Sequence, residues 1–384
     1  MAGAPSTAVA NLHQQPAGKV DALTLCDLAP ELIERIAEHT DGASLRALRL
    51  TCRNIAARIF RAYCKANFAS RTILLCDRQS ISNAAKAAEH EVFGRYLHRF
   101  TVVIDDIYNL DRHLPKELCA VCDSTRKFYS PRSRNRDLRL LFQRMRIPSR
   151  LVELKLVDSS QVPEGRCSIL DDCRTSCSRV FLGPPMDIGD RQLGVLLRAA
   201  RKSDVKIARL SILAKNWAVN IHSSFIRGSR AQSLGFALQH MRLLEVPLGP
   251  SRSNRDREAA IEFFDMVCSA PKLESLKLRL KEGPGDSRPV FDGRLLHRSM
   301  LQLKEFHLVG ASVLMHDLQQ LVSLNSKLQK VNLTRVDFMR GSFSDDVLGD
   351  FHITDAEDIH GPARKLIVLP GHYEDLWSDD VALV

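Results

Sequence analysis

A short pattern of apolar positions recurs through the middle and C-terminal parts of the chain. It reads apolar, two residues, apolar, one residue, apolar, and its last positions alternate as a short strand requires. Later copies are about 25 to 32 residues apart, a period typical of repeat proteins. The clear copies are Leu151-Leu154-Leu156, Ile207-Leu210-Ile212, Met241-Leu244-Val246, Leu273-Leu276-Leu278, Leu303-Phe306-Leu308 and Leu328-Val331-Leu333. Weaker copies are Leu97-Phe100-Val102 and Cys177-Val180-Leu182.

Amphipathic segments between these copies predict helices over 190–202, 257–270 and 314–324, with one apolar face each. Their apolar faces carry Leu193, Leu196, Leu197 and Ala200, then Ala260, Phe264 and Val267, then Leu314, Leu318 and Leu321. Strand, loop and helix in repetition predict an α/β solenoid, with a curved parallel sheet and helices on its outer side. A compact, doubly wound α/β domain is the alternative, because the period drifts and no asparagine follows the strands.

Three short helical patterns precede the first strand pattern. Pro30 suits the first position of a helix, and Glu31 suits its positive end. Ser44 is expected to cap a second helix, and a third begins near Cys52. So small a unit leaves apolar surface that must face another domain or another protein. Helical spacing places on one face of the first helix Leu32, Ile33, Ile36 and Ala37.

This N-terminal pattern resembles the F-box, over residues 23–64. The matching positions are Leu28, Pro30, Glu31, Leu32, Ile36, Leu45, Leu48, Arg49, Cys52 and Arg53. The chain departs from the F-box at Ala29, where a proline is usual, and at Ile55, where an aromatic residue is usual. An ordinary amphipathic helical hairpin is the alternative. Together, the two patterns resemble the F-box proteins with irregular leucine-rich repeats that are common in fungi.

The resemblance implies a substrate receptor of a cullin–RING (SCF) ubiquitin ligase. Its F-box would bind a Skp-type adaptor, and through it the cullin and RING subunits, while the repeats would bind an unknown protein substrate. The chain would then be no enzyme and need no cofactor or metal. The alternatives are a leucine-rich-repeat scaffold outside a ligase and a nucleic-acid-binding protein. The resemblance implies these adaptor contacts: Leu28, Pro30, Leu32, Ile33, Ile36, Leu45, Leu48, Cys52 and Ile55.

The strand pattern also predicts a substrate-binding face. Where the fourth and sixth positions of a copy point into the core, the third and fifth point to the opposite face of the sheet. Arginine beside apolar or aromatic side chains is typical of binding hot spots. The predicted substrate contacts are Arg179, Phe181, Arg209 and Leu243. The loops or the acidic C-terminal tail are the alternative.

The formal net charge is +10, and residues 126–150 hold nine basic residues against one acid, Asp137. We expect a solvated loop containing Arg132, Arg134 and Arg136, which leads into an amphipathic helix. The apolar face of that helix would carry Leu138, Leu141, Phe142 and Met145. Polyanion binding or nuclear import is the alternative, although few aromatic residues accompany the charge.

Ten cysteines without an export signal predict reduced thiols and a cytoplasmic or nuclear location. No apolar run is long enough to span a membrane. The spacing of Cys119, Cys122, Cys173 and Cys177 allows a zinc site. The alternative is that these cysteines are separate buried thiols. The predicted organisation is a disordered lead over 1–22, the F-box, a connecting region over 65–150, repeats over 151–340 and an extension with an acidic tail over 341–384.

Overall fold

The chain divides into two compact units, one ending at Asn67 and the other beginning at Phe68. The computed structural model describes residues 24–75, 77–104, 131–145, 151–158, 186–213, 228–248, 254–280, 291, 297–339 and 365–368. The lead predicted over 1–22 and the acidic tail lie outside these residues. Within them, no helix combines the length and the apolar character needed to cross a membrane.

Four consecutive helices follow a single 3₁₀ turn, Leu25–Asp27, at the N-terminal end of the described chain. They are α1 (Pro30–Glu38), α2 (Gly42–Arg49), α3 (Arg53–Arg58) and α4 (Phe60–Phe68). Helix α1 begins with Pro30, as predicted, because that position needs no N–H donor.

The cap of α2 differs from the prediction. Asp41 is the capping residue, and its Oδ1 accepts hydrogen bonds from the backbone N–H of Ala43 at 2.8 Å and of Ser44 at 3.0 Å. Ser44 instead lies inside the first turn, where its hydroxyl donates to Oδ2 of Asp41 at 2.6 Å. The expected serine cap was wrong because the helix starts earlier, at Gly42. These hydrogen bonds, first that of the Ser44 side chain, lower the pKa of Asp41.

The second unit is built on a sheet of nine strands, eight of them parallel, with helices described between most successive strands. The strands are β1 (Ser70–Leu74), β2 (Arg99–Val103), β3 (Leu151–Val157), β4 (Lys206–Ile212), β5 (Leu243–Leu248), β6 (Ser275–Leu280), β7 (Glu305–Leu314), β8 (Lys330–Met339) and β9 (Lys365–Val368). The helices are α5 (Arg78–Glu89), α6 (Pro131–Arg144), α7 (Met186–Lys202), α8 (Gly228–Leu238), α9 (Asn254–Cys268) and α10 (Met315–Leu324).

The strand order in space equals the order along the chain, from β1 to β9. A doubly wound domain would reverse its strand order at a switch point, and the described sheet has no such reversal. Strands β1 to β8 pair in parallel, and only β9 is antiparallel to its neighbour. The α/β class and the sequential parallel sheet are therefore confirmed.

One continuous apolar core lies between the sheet and helices α5 to α10. The apolar positions of the described copies are buried, as Leu210 and Ile212 illustrate on β4, with the exception of Leu151, which is half-buried. The ring of Phe100 on β2 meets the ring of Phe142 on α6 edge to face, with 6.3 Å between centroids. The alternation predicted from the sequence is thus confirmed by burial.

The helix predictions hold with two local differences. All four apolar positions predicted on α7 are buried. On α9, Phe264 and Val267 are buried as predicted, but Ala260 is half-buried and the neighbouring Ala259 is buried instead. Leu314 is exposed because it caps α10 instead of belonging to the helix.

Candidate protein-interaction surfaces

The N-terminal unit has a small core of its own, made of Ile33, Ala37, Leu45, Ile55 and Ile59. Leu28, Leu48 and Cys52 pack against this core and remain partly exposed. Three of the residues expected to contact an adaptor, Ile33, Leu45 and Ile55, are therefore buried inside the unit. In this arrangement they can support a contact surface but cannot form it.

Helix α1 carries a second apolar stripe that faces outward. Leu32 is 51% exposed and Ile36 is 44% exposed, one helical turn apart. Pro30, at the start of the same helix, is exposed as well. We call Leu32 and Ile36 the α1 apolar pair. Among the predicted adaptor contacts, these two are the large aliphatic side chains that are exposed, whereas Leu28 and Leu48 are half-buried.

The expected single apolar face of α1 is in fact two faces. At about 100° per residue, the positions of Leu32, Ile36, Ile33 and Ala37 span about 140° of the helix circumference. The small core covers only the half that contains Ile33 and Ala37. Leu50, at the end of α2, is 86% exposed and was missed, because a lone leucine after a helix carries no periodic signal.

Helices α2 and α4 are joined by a cation–π contact. The Cζ atom of Arg49 lies 4.5 Å from the centroid of the Tyr63 ring and 5.8 Å from that of Phe60. This contact orients α4 against the core without using an ion pair.

The sheet face opposite the core presents two rows of mostly polar side chains. We call these rows the polar sheet face. One row contains Ser70, Arg99, Glu153, Arg209, Leu243, Ser275, Glu305 and Lys330, and the other contains Thr72, Thr101, Lys155, Ser211, Glu245, Lys277, His307 and Asn332. The next row on this face, nearer the C-terminal ends of the strands, begins with Leu74, Val103 and Val157. These three residues are buried.

The carboxylates of this face are engaged by neighbouring strands. Glu153 on β3 lies between two arginines, with its Oε2 2.9 Å from Nε of Arg99 and its Oε1 3.8 Å from Nε of Arg209. Glu245 pairs with Arg279 at 3.2 Å between Oε1 and Nη2. A further carboxylate, Glu305, accepts a hydrogen bond from the Ser275 hydroxyl at 3.1 Å.

The lysines of the same face are not matched in this way. Within the described part of the chain, Lys155, Lys277 and Lys330 have no carboxylate partner. Lys155 and Lys330 are exposed, and Lys277 is half-buried. The polar sheet face therefore has an excess of positive charge, concentrated on side chains long enough to reach a ligand.

His307 lies between these lysines and is neutral at physiological pH. Burial is the main cause that lowers its pKa, and the charge of Lys277 lowers it further. Its Nδ1 lies 2.8 Å from the side-chain nitrogen of Asn332, which donates to it when the ring is neutral. Its Nε2 lies 3.6 Å from Oε2 of Glu305.

The structure brings together two members of the predicted substrate quartet. Arg209 and Leu243 are partners in the register of β4 and β5, with Arg209 exposed and Leu243 half-buried. Arg179 and Phe181 lie outside the described residues. The quartet thus stays a prediction, although its described half lies next to Glu153 on the polar sheet face.

The basic segment differs from its prediction, because α6 begins at Pro131 and includes the three arginines expected in a loop. Arg132 and Arg136 are exposed, but Arg134 is buried. Pro131 at the helix start, like Pro30, is the signal that could have revealed this. The expected apolar face is confirmed, since Leu138, Leu141, Phe142 and Met145 are buried.

Two of the five arginines on α6 form ion pairs with acidic groups. Asp137 lies 3.4 Å from Nε of Arg136 and 3.3 Å from Nε of Arg78 on α5. Arg144 pairs with Glu89 at 2.9 Å between Nη1 and Oε2. These ion pairs join neighbouring helices and reduce the positive field that the sequence alone suggests.

The four cysteines of the possible zinc site lie outside the described residues. Among the residues that are described, no cluster of three or more potential ligands could hold a metal ion. No protein-family model matches the chain, and no curated protein is significantly similar to it. The functional interpretation therefore depends on the residues and contacts given above.

Proposed function

We propose that the chain is the substrate receptor of an SCF-type cullin–RING ubiquitin ligase. In this proposal the N-terminal unit is an F-box that binds a Skp-type adaptor. The strands and helices of the second unit act as an irregular leucine-rich-repeat array that holds a substrate protein. The receptor contributes no catalytic residue. It raises the effective concentration of a substrate lysine near the ubiquitin donor, which itself accelerates transfer.

The observation that carries the proposal is the α1 apolar pair. The two exposed aliphatic side chains lie one turn apart on the first helix of the unit. They are not part of its small core and so do not contribute to its internal packing. Such a stripe is typical of a helix face that a partner covers. Its positions, Leu32 and Ile36, are among those that match the F-box pattern.

The test is binding of the full chain to purified Skp-type adaptor, with and without Leu32→Ala and Ile36→Ala. Burying one such side chain contributes about 1.5–3 kcal/mol, so the double variant should bind roughly a hundredfold or more weakly. Because both side chains are exposed, the variant should remain folded by circular dichroism. Unchanged adaptor affinity in a folded double variant would contradict the proposal.

Two exposed aliphatic residues on helices of the second unit provide a matched control. Leu140 on α6 is 41% exposed and Ile261 on α9 is 43% exposed, close to the values of the α1 apolar pair. Changing both to alanine removes a similar apolar area, and adaptor binding should be unaffected. Equal losses in the two double variants would indicate non-specific adhesion.

The charge of the polar sheet face indicates which substrates it would accept. Its carboxylates are engaged within the sheet, whereas Lys155, Lys277 and Lys330 are not. An acidic segment of a substrate would complement these lysines. Arg209 beside Leu243 adds an arginine and an apolar side chain, a pairing common in hot spots.

Reversing two of these charges tests the substrate face separately from the adaptor contact. Lys277→Glu with Lys330→Glu should reduce capture of acidic peptides at least tenfold and should remove its salt dependence. Arg242→Glu with Lys272→Glu is the control, since both residues are exposed and lie outside the two rows. Adaptor binding should be the same in both variants.

A scaffold outside a ligase would share these contacts, so binding alone does not separate the two functions. The two functions are separated by measuring ubiquitin transfer to a captured protein. A ligase receptor should support this transfer and lose it in the Leu32→Ala, Ile36→Ala variant, whereas a scaffold should not support it. Nucleic-acid binding through 126–150 has less support. Of the basic residues there, Arg136 and Arg144 already pair with carboxylates, and Arg134 is buried.

A further inference from the structure

Two cysteine thiols meet in the N-terminal unit. The Sγ atoms of Cys26 and Cys52 are 3.5 Å apart, although the residues are separated by 26 positions in the chain. Cys26 lies in the turn before α1 and is exposed, and Cys52 directly precedes α3 and is half-exposed. Both sulfur atoms therefore belong to residues that solvent reaches, within hydrogen-bond distance of each other.

The two thiols differ in their surroundings. The backbone N–H of Ile55 donates to Sγ of Cys52 at 3.4 Å, and this is the main cause that lowers the pKa of Cys52. The hydrogen bond between the two cysteines lowers the pKa of Cys52 further and raises that of Cys26. Asp27 raises the pKa of Cys26 as well, while Arg58 opposes it. Cys52 is therefore the thiol of the pair that gives up its proton more readily, which favours it as the nucleophile.

We propose that Cys26 and Cys52 form a redox-active dithiol, in which a peroxide oxidises Cys52 and Cys26 closes an intramolecular disulfide. The pairing rests on the distance between the sulfur atoms and on their access to solvent. It concerns the thiols alone, and it stands whether or not the unit binds an adaptor.

The chemistry proceeds in two balanced steps. The Cys52 thiolate attacks one oxygen of hydrogen peroxide, so that an S–O bond forms, the O–O bond breaks and hydroxide leaves to become water. Cys26 then attacks the sulfenic sulfur, an S–S bond forms, the S–O bond breaks and a second water leaves. The two thiols lose two electrons in total, and one peroxide is reduced to two waters.

Two other described cysteines provide internal references. Cys64 and Cys268 are buried, and burial raises the pKa of both thiols, that of Cys268 to about 11. A buried thiol that keeps its proton reacts slowly with peroxide and with alkylating reagents. At neutral pH, Cys52 should therefore react with iodoacetamide at least roughly tenfold faster than Cys64 or Cys268.

The experiment uses the full chain treated with equimolar hydrogen peroxide, then alkylated and digested with trypsin. Cleavage after Lys19, Arg35, Arg49 and Arg53 releases Cys26 in peptide 20–35 and Cys52 in peptide 50–53. We expect these two peptides to be joined, with the loss of two hydrogens, and to separate after reduction. Both peptides recovered fully alkylated, or Cys26 and Cys52 linked mainly to other cysteines, would overturn the proposal.

Variants separate the roles of the two cysteines. Cys26→Ser should block the disulfide and let the sulfenic acid of Cys52 accumulate, where a dimedone reagent can trap it. Cys52→Ser should prevent both the disulfide and the trapped product at Cys26. Cys64→Ser, the matched control, should form the disulfide at the rate of the unchanged chain. Trapping of equal amounts on Cys26 and Cys52 in the two single variants would contradict the assigned roles.

Discussion

Gly310 on β7 and Arg335 on β8 lie at the same level of the sheet, between the paired residues Val309–Thr334 and Ala311–Val336. Both have a left-handed backbone, with φ of 72° at Gly310 and 53° at Arg335. On β7 the alternation of buried and half-buried residues shifts here, since Gly310 and Ala311 are both buried. Because the two left-handed residues lie at one level, the register of the strands is the same on both sides, and they stay paired as far as Leu314 and Met339.

This relationship predicts opposite effects of two substitutions. Gly310→Ala should lower the free energy of unfolding by roughly 1–3 kcal/mol, because it forces a side chain into the left-handed region. The added Cβ would also lie 2.9 Å from the carbonyl oxygen of Leu280. Arg335→Gly relieves the same kind of strain and should leave stability within about 1 kcal/mol of the original or raise it. Urea unfolding of the two variants measures both effects.

A second prediction separates the two apolar faces of α1. Ile33→Ala opens a cavity in a small core and should cost about 2–5 kcal/mol of stability. Leu32→Ala removes an exposed side chain and should stay within about 0.5 kcal/mol of the original. Thermal unfolding followed by circular dichroism compares them. Equal destabilisation would mean that Leu32 is packed in solution.

A third prediction concerns the basic helix α6. Arg134→Ala should destabilise the protein by about 1–3 kcal/mol, because this arginine is buried. Arg132→Ala, two positions earlier on the same helix, should have almost no effect, because Arg132 is exposed. The free energy of unfolding in urea is the measurement. A solvated loop would predict no difference between the two.

A fourth prediction is a pH dependence from His307. Its pKa in the folded protein lies below the ordinary value of 6.5, so protonation favours the unfolded chain. The stabilisation is complete above about pH 6.5 and is lost as the pH falls through the folded pKa. His307→Gln retains a polar side chain beside Asn332 but cannot titrate, so its stability should change less between pH 7 and pH 5.

His240 must be considered in the same measurement. Burial lowers its pKa as well, and Lys206 and Lys272 act in the same direction. His307→Gln should therefore remove part of the pH dependence, and adding His240→Gln should remove more. A single variant that leaves the dependence unchanged would assign it to His240 or to other groups.

The strands of the parallel sheet could be predicted because apolar residues at every second position mark the buried face of each strand. Strand β1 was missed because Arg71 stands where its neighbour β2 has the buried Phe100, so the apolar pattern is broken at that edge. The start of α6 was missed because Ser-Pro-Arg resembles a turn, although proline also begins helices. In both places the local sequence pattern fits more than one structure, and the packing of the segment decides which one forms.

The candidate sites were less predictable for a physical reason. Helical spacing shows that Leu32 and Ile33 are both near an apolar face, but only the width of the small core decides which of them is covered. The contact between Cys26 and Cys52 depends on the packing of segments that are distant in sequence. On the polar sheet face, the ion pair of Glu245 with Arg279 follows from the geometry of two strands and could not be predicted from the sequence.

The order of strands has a consequence for how the protein is made. During synthesis, each new strand from β2 to β8 finds the strand it must pair with already outside the ribosome, and it never waits for a later segment. The exposed edge of the growing sheet is always the most recent strand, so assembly can advance one unit at a time from the N-terminal end. The antiparallel β9 follows β8 and pairs with Val331–Thr334, so it covers part of an edge that would otherwise be available to a second molecule.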